Sequence, residues 1–336
     1  MPDMTATDFN TLFDDFASVK IGVIGDVMLD TYWWGHVERI SPEAPVPVVT
    51  LDNKEYRIGG AGNVALNLVS LGAKASILSV IGEDEDGGRL SSLFQEKGIS
   101  IDYLQTSASR ITTNKIRIIS RNQQMMRLDN EISRDLSSDE EAALLSKVEK
   151  YLATEKPDIL IFEDYNKGVL TDSLIGKVIA LCKKSGVFTA VDPKKKNFFS
   201  FKGVDIFKPN LKEVKEGLNV QISEVNSHSL QSIHKLLQQQ LSHRISFITL
   251  SEHGVFYQDD HQSQLIPSHM RSIADVSGAG DTVIAVASLV FASTKKMELA
   301  AAVANIAGGL VCEEVGTVAI NRERLMSECQ LLLSTP

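Results

Sequence analysis

Short apolar runs rich in β-branched residues recur at positions 21–24, 75–81, 158–162, 188–191, 205–207 and 247–250, and each stops at glycine or polar residues. Between them, apolar positions three and four apart predict helices over 63–71, 89–97, 138–152, 172–184, 211–218, 229–241, 280–292 and 297–313. Apolar strands alternating with helices make an α/β protein whose central sheet is mostly parallel and covered on both faces.

Two stretches break this rhythm. Residues 34–40 and 46–51 read as strands with no helix between them, and 112–120 with 125–128 read as a hairpin. These pieces predict a small β-sheet lid, formed by about 31–57 and 111–128, laid over the edge of the main sheet. The segment 41–47 carries Pro42, Pro45 and Pro47 and is expected to be stiff, because each proline fixes φ and lacks a donor. Residues 1–336 are read as one domain, with neither repeat nor linker.

Composition narrows the function. The 336 residues are 43% apolar and carry a net charge of −9. This excludes disorder and argues against a nucleic-acid or anionic-membrane partner. The first nineteen residues hold four aspartates and no Lys or Arg, unlike a targeting peptide. The most apolar stretch, 283–292, is half the length of a membrane span. Cys182, Cys312 and Cys329 are scattered, which argues against both a disulfide framework and a thiolate metal site. A cytoplasmic protein is the expectation.

The sharpest chemical signal is Asp275-Val-Ser-Gly-Ala-Gly-Asp281, leading straight into a helix. Gly278, Ala279 and Gly280 let backbone N–H groups approach a ligand, and a helix N-terminus favours an anion. A carboxylate beside such a site, Asp281, suits removal of a proton from an attacking hydroxyl; it equally suits a dipole-favouring residue in a capped helix. Lys208-Pro209-Asn210-Leu211-Lys212-Glu213 reads either as a capping box of Asn210 and Glu213 or as a segment whose Asn210 contacts phosphate and whose Glu213 holds Mg²⁺, directly or through water.

Gly59-Gly60-Ala61-Gly62-Asn63 precedes another helix. It formally fits a relaxed dinucleotide fingerprint, but the polar residues 52–57 stand where a buried strand is required. It reads better as a sugar-holding loop, or as a glycine turn with Asn63 as helix cap. Asp26 and Asp30 flank the end of the first strand; Asp30 suits two sugar hydroxyls or a solvated loop. Asp164 to Gly168 and Asp192 to Lys196 follow further strand ends, and the three lysines of the latter suit either nucleotide phosphates or solvent. Arg117, Arg121 and Arg127 lie in the expected lid, where an Arg fork suits a phosphorylated substrate. No G-x-x-x-x-G-K-[ST] occurs, so P-loop chemistry is excluded.

In chain order these motifs resemble the ribokinase/PfkB sugar-kinase family. Within it, Gly25-Asp-Val-Met-Leu-Asp30, Arg39-Ile-Ser-Pro-Glu-Ala-Pro-Val-Pro-Val48, Arg127-Leu-Asp129 and Asp164-Tyr-x-Lys-Gly168 are most similar to the branch acting on D-glycero-D-manno-heptose 7-phosphate. The resemblance runs from about residue 20 to 320 and implies a ribokinase-like fold. It implies transfer of phosphoryl from ATP, with Mg²⁺, to the sugar's C1 hydroxyl, with room for a monovalent cation. The product, heptose 1,7-bisphosphate, serves ADP-heptose and lipopolysaccharide synthesis. It makes Asp281 the base and Gly278, Ala279 and Gly280 the anion hole. It places Asn210, Leu211, Lys212, Glu213, Ser251, Glu252, Gly254 and Asn305 at ATP. Asp30, Gly59, Gly60, Asn63, Arg117, Asp164 and Lys167 fall at the sugar, and the lid implies a homodimer.

Three departures are Ser277 for Thr, Gly62 for Ala, and Glu163 where Ser commonly precedes Asp164. Bifunctional relatives add a nucleotidyltransferase, whose H-x-G-H does not occur here, so a kinase alone is expected. Another sugar or sugar-phosphate kinase, a catalytically silent sugar- or nucleotide-binding module, and a dinucleotide oxidoreductase are the competing readings.

Overall fold

A computed structural model describes residues 8–121, 123–269 and 271–333. Asn122, inside the expected lid, and Asp3, in the acidic N-terminal run, lie outside the described residues. The chain runs α1 (Phe9–Asp15), β1 (Lys20–Gly25), β2 (Val27–Ile40), β3 (Pro47–Gly60), α2 (Ala61–Ser70), β4 (Lys74–Leu78), β5 (Val80–Gly82), α3 (Glu85–Glu96), β6 (Gln105–Ser107), β7 (Asn114–Ser120), β8 (Gln123–Asn130) and α4 (Ser138–Glu155). It continues through β9 (Ile159–Glu163), α5 (Asp172–Ser185), β10 (Phe188–Asp192), β11 (Ile206–Phe207), α6 (Leu211–Leu218), α7 (Ser227–Leu241), β12 (Ile245–Thr249), β13 (Val255–Gln258), β14 (Ser263–Ile266), α8 (Ala279–Thr294), α9 (Met297–Val311) and α10 (Arg322–Leu333).

Eight strands form the main sheet in the order β14-β13-β12-β11-β10-β9-β1-β4. From β4 to β12 neighbours are parallel, and the β13–β14 hairpin closes one edge antiparallel. Alternation splits each buried strand between two cores. In β9, Ile159 and Ile161 face α2, α8 and α9, while Leu160 and Phe162 face α4, α5 and α7. This is the doubly covered α/β sheet that the apolar runs predict.

The carboxyl end of β1 feeds the second sheet, of order β3-β2-β7-β8. Its ribbon is longer than the expected pieces at 34–40 and 46–51: β2 and β3 pair from Val27↔Gly60 to Ile40↔Pro47. Between them the Ser41 N–H donates to the Val46 carbonyl at 2.8 Å, closing the proline segment. The outer strand β8 is exposed along its length, and Ile40, Val46, Leu51, Met125, Met126 and Leu128 present apolar side chains to solvent.

Several boundaries move for local reasons. The expected strand at 75–81 is two strands. It breaks at Ser79, whose hydroxyl donates to the Gly25 carbonyl at 2.6 Å, and β5 leaves to pair with β6. Helix α2 begins at Ala61, so Gly59 and Gly60 end a strand rather than forming a loop. Gly60 caps the helix with φ +60°, a conformation that favours glycine, and Asn63 lies inside the helix rather than at its cap. Helix α3 starts before residue 89 because Asp84 accepts the Gly87 N–H at 2.7 Å. Helices α1 and α10, strand β6 and the β13–β14 hairpin are short or mostly polar, and the apolar pattern does not predict them. Among the described residues no helix is long and apolar enough to cross a membrane.

Candidate functional site

Asp275 organises the turn before α8. Its Oδ1 accepts the Ser277 N–H and hydroxyl at 3.0 and 2.9 Å, and its Oδ2 accepts the Gly316 N–H at 3.0 Å. Gly278 then caps α8 with φ +76°. Asp281 follows in the first turn, and each oxygen of its carboxylate accepts one hydrogen bond. Oδ1 accepts the Tyr165 hydroxyl at 2.6 Å and Oδ2 accepts Asn63 Nδ2–H at 2.8 Å. Burial lifts its pKa to about 6, although both donors favour the anion. One helical turn beyond Asn63, Asn67 Oδ1 accepts the Thr282 hydroxyl at 3.2 Å and the Ile320 N–H at 2.9 Å, locking α2 against α8.

Beneath this helix start lie the ends of β9, β10 and β11. A Cβ on Gly280 would stand 3.5 Å from Asp192 Oδ2 and 3.7 Å from Lys208 Nζ. Lys208, almost fully buried, pairs with Asp192 Oδ2 at 2.7 Å. Lys194 spans Asp192 Oδ1 at 3.3 Å and Glu213 Oε1 at 2.9 Å. Burial opposes the Lys194 charge, but Asp192 and Glu213 outweigh it and raise its pKa. Burial likewise opposes ionisation of Asp192, which the two lysines nevertheless hold below the usual carboxylate range.

Asn210 and Glu213 do form a capping box. Asn210 Oδ1 accepts the Glu213 N–H, and Glu213 Oε2 accepts the Asn210 N–H, both at 2.8 Å. The isolated bridge between Asn210 and Thr249 brings this cap to the end of β12, where Ser251 and Glu252 lie in an exposed turn closed by the buried Gly254. Leu211 is half-buried, and Lys212 is exposed beside Glu216. Asn305, on α9, donates to the Pro267 carbonyl at 2.8 Å and so pins the segment after β14.

The loop after β9 is built on Asp26. Its Oδ2 accepts the N–H groups of Tyr165 and Lys167 at 2.9 and 3.0 Å, and its Oδ1 accepts that of Val169 at 3.0 Å. Asp164 is buried within this loop, with its oxygens on the Asn166 N–H and Asn197 Nδ2–H. Burial, then Asp26, lifts its pKa to about 6. Lys167 pairs with Glu131 at 2.6 Å. From the second sheet, Asp30 Oδ1 receives Arg117 Nη1–H at 2.6 Å, and Asp30 Oδ2 packs against Gly59. Lys115 and Lys194 stand 5.6 and 5.5 Å from the centre of the Tyr165 ring.

Asp281, Asn63 and the 278–280 amides therefore meet at one point, with Asn210–Glu213 joined to it through Lys194 and Asp192. Asp30 and Arg117 pair with each other, and Asp164 is committed to its own loop. Tyr165, Lys208 and Lys115 are additions to the site: the first two lie inside the motifs at 164–168 and 208–213 and Lys115 in the expected lid hairpin, but only the fold shows the Tyr165 hydroxyl on Asp281 and the Lys208 ammonium on Asp192. The donor set fits polyphosphate: amides at a helix start, two ammonium groups and no bulk at Gly280. Among the described residues no group of three or more His, Cys, Asp or Glu is arranged to hold a metal ion. Both Glu213 oxygens are engaged, by Lys194 and by the Asn210 N–H, so a divalent cation held by Glu213 would be met through water rather than directly.

Residues 19–324 match the pfkB family carbohydrate kinase pattern. The chain belongs to that family. The PfkB chain is 38% identical over 324 residues to the bifunctional protein HldE of Syntrophotalea carbinolica, covering 96% of this chain and 65% of that protein. It therefore spans about two thirds of that relative's length. Its fold is ribokinase-like. Phosphofructokinase-2 from Escherichia coli, solved with potassium, superposes with a TM-score of 0.77 at 18% identity, covering 94% of this chain and all of that one. Ribokinase from Arabidopsis thaliana, complexed with ribose and ATP, gives 0.71 at 16% identity, covering 92% and 98%. The chain thus carries a sugar-kinase domain.

Proposed function

We propose that this PfkB domain transfers the γ-phosphoryl of ATP to the C1 hydroxyl of D-glycero-D-manno-heptose 7-phosphate, giving heptose 1,7-bisphosphate for ADP-heptose and lipopolysaccharide synthesis in the cytoplasm. The observation that carries the reading is the buried Asp281 carboxylate at the amide-bearing start of α8. The HldE relative and the motifs at 25–30 and 39–48 supply the heptose.

In this reading Asn63 and Tyr165 orient Asp281, which takes the proton from the C1 hydroxyl as the phosphoryl arrives in line. The N–H groups at 278–280 and the α8 dipole oppose the charge that develops on the phosphoryl oxygens. Lys194 and Lys208 add positive charge beside them, and Asn210, the 251–254 turn and Asn305 border the nucleotide. Glu213 would reach Mg²⁺ through water, and the bound ion would supply positive charge that offsets that of the phosphates. Asp30 orients sugar hydroxyls, with Gly59, Gly60 and Asn63 around the ring and Asp164 holding the loop. Arg117 and Lys167 meet the 7-phosphate. The second sheet closes over the sugar and excludes water.

The deciding experiment is a sugar panel with coupled ADP detection, with and without K⁺. Heptose 7-phosphate is expected to exceed fructose 6-phosphate, ribose and unphosphorylated heptose by at least about tenfold in kcat/KM. Preference for another acceptor moves the domain to a different sugar kinase, and no ADP with any sugar leaves a binding module. Arg117→Ala is expected to raise KM for the sugar phosphate more than it lowers kcat, since charge-assisted bonds of this kind are worth about 1.5–3 kcal/mol.

The exposed apolar lid residues support a homodimer through this sheet, whose outer edge strand β8 would otherwise remain open. Light scattering is expected to give twice the chain mass for the wild type and one chain mass for Met126→Asp with Leu128→Asp.

A further inference from the structure

Glu163 is the buried acid that the proposed mechanism leaves unused. It ends β9 at the centre of the main sheet, between Gly25 of β1 and Asp192 of β10 in register. It shares the face of Ile159 and Ile161, beneath α8. Its side chain has no exposure, and neither carboxyl oxygen has a hydrogen-bond partner. No other described residue leaves both oxygens of a buried carboxyl unpaired.

None of the charged groups around it gives it a hydrogen bond, and each has partners of its own. Asp281, from α8, holds the Tyr165 hydroxyl and Asn63. Asp192, from β10, holds Lys208 and Lys194, and Lys194 also serves Glu213. On the β1 side Asp26 faces the N–H groups of 165, 167 and 169, and its own N–H donates to the Glu163 carbonyl at 3.2 Å. The surrounding charges are thus the carboxylates of Asp192, Asp281 and Glu213 against the ammonium groups of Lys194 and Lys208.

An ionised Glu163 would add a fourth carboxylate, without a donor, next to the centre that must admit a polyphosphate. An unpaired buried anion is far costlier than an unpaired neutral acid. Burial, then Asp192 and Asp281, lifts the Glu163 pKa well above the ordinary value.

We propose that Glu163 is a positioning residue that works as a neutral carboxylic acid, keeping the strand-end cluster one negative charge short so that Asp281 ionises and the phosphates enter. The catalytic half of this rests on Asp281 as the base; the protonation half does not.

The test uses Glu163→Gln, which keeps the shape and cannot ionise, and Glu163→Ser, a smaller neutral residue. A native acid held neutral binds more protons than the unfolded chain above the free glutamate value of 4.5, so wild-type stability falls as pH rises from there. Both variants are expected to lack this slope, so that melting temperatures converge near pH 4 and the Gln variant melts several degrees higher at pH 8. The infrared carbonyl band of a protonated carboxyl is expected in the wild type and absent from Glu163→Gln. At neutral pH the Gln variant is expected to keep kcat within about threefold. The wild type is expected to lose kcat on the alkaline side as Glu163 ionises, a limb both variants lack.

An unchanged stability slope, or no such band, overturns the neutral acid whatever the activity. A hundredfold loss of kcat in Glu163→Gln overturns it as well, because the amide would then be replacing a working anion. A retained alkaline limb in the variants, with slope and band as expected, overturns the positioning role alone.

Discussion

Asp281→Asn is expected to abolish turnover while leaving the fold and nucleotide binding in place. A positioned general base contributes about 10²–10⁴-fold, and asparagine keeps the size of the side chain without its basicity. The wild-type kcat/KM should rise with pH through about 6, where Asp281 ionises in the free enzyme. The residual activity of the variant should lack that limb. Stability should move the other way. The folded pKa lies above the unfolded value of 3.8, so the native state holds the extra proton and loses stability as pH rises from about 4 to 6. The full penalty is about 3 kcal/mol at neutral pH. The variant escapes part of it, offset by one amide hydrogen that now meets Asn63 or Tyr165. A melting temperature equal to or a few degrees above wild type, with ATP affinity within about threefold by fluorescence titration, separates lost chemistry from lost structure. Near-wild-type kcat in this variant would remove Asp281 from the reaction.

What the sequence makes legible follows from range. The strands β1, β9 and β10 are covered on both faces, so their apolar runs stand out without any partner being known. The Gly-Ala-Gly-Asp at 278–281 stands out because glycine, helix start and acid are neighbours in the chain. The groups that hold Asp281 are not neighbours: Asn63 lies 218 residues away and Tyr165 lies 116 away. The former is marked only as a residue of a glycine loop, a feature the fold redraws as a strand end and the first turn of α2. Tyr165 reads as a loop residue because its orientation depends on Asp26, far earlier in the chain. Glu163 hides for a related reason. It closes an apolar strand and looks like the first polar residue of a loop, whereas the sheet carries it inward. The long β2–β3 ribbon is underestimated because polar residues such as Asp30, Thr31 and Arg57 interrupt its apolar pattern, although the fold buries its Val27 and Gly60 end.

Asp26→Ala is expected to be the most destabilising single change near the site, and its size can be bounded. Three backbone N–H groups, of Tyr165, Lys167 and Val169, lose their acceptor at once. Each orphaned donor costs about 1–3 kcal/mol, which sums to about 3–9. Two effects reduce it. Burial raises the Asp26 pKa despite those N–H bonds, so the wild type already bears a cost for burying the charge, and alanine removes that cost. The loop can also relax toward water. Against this, buried Arg110, which donates to the Lys167 carbonyl at 2.7 Å, loses one of the carboxylates that balance it, with Glu140 remaining as the stronger. A net loss of about 3–5 kcal/mol follows, in the range for breaking one side of a buried charged network. Urea unfolding should show a lower midpoint with an unchanged slope. Asp26→Asn should fall between, because its amide keeps one acceptor oxygen but turns two hydrogens toward an N–H that also donates. Since Asp26 fixes the Tyr165 backbone and Tyr165 fixes Asp281, the folded fraction of either variant should also lose kcat. Tyr165→Phe, which removes only the hydroxyl, should reproduce part of that kinetic loss with little of the destabilisation. If Asp26→Asn matches wild type in both midpoint and kcat, the 164–169 loop is held by something other than this carboxylate, and the route from the end of β1 to Asp281 is wrong.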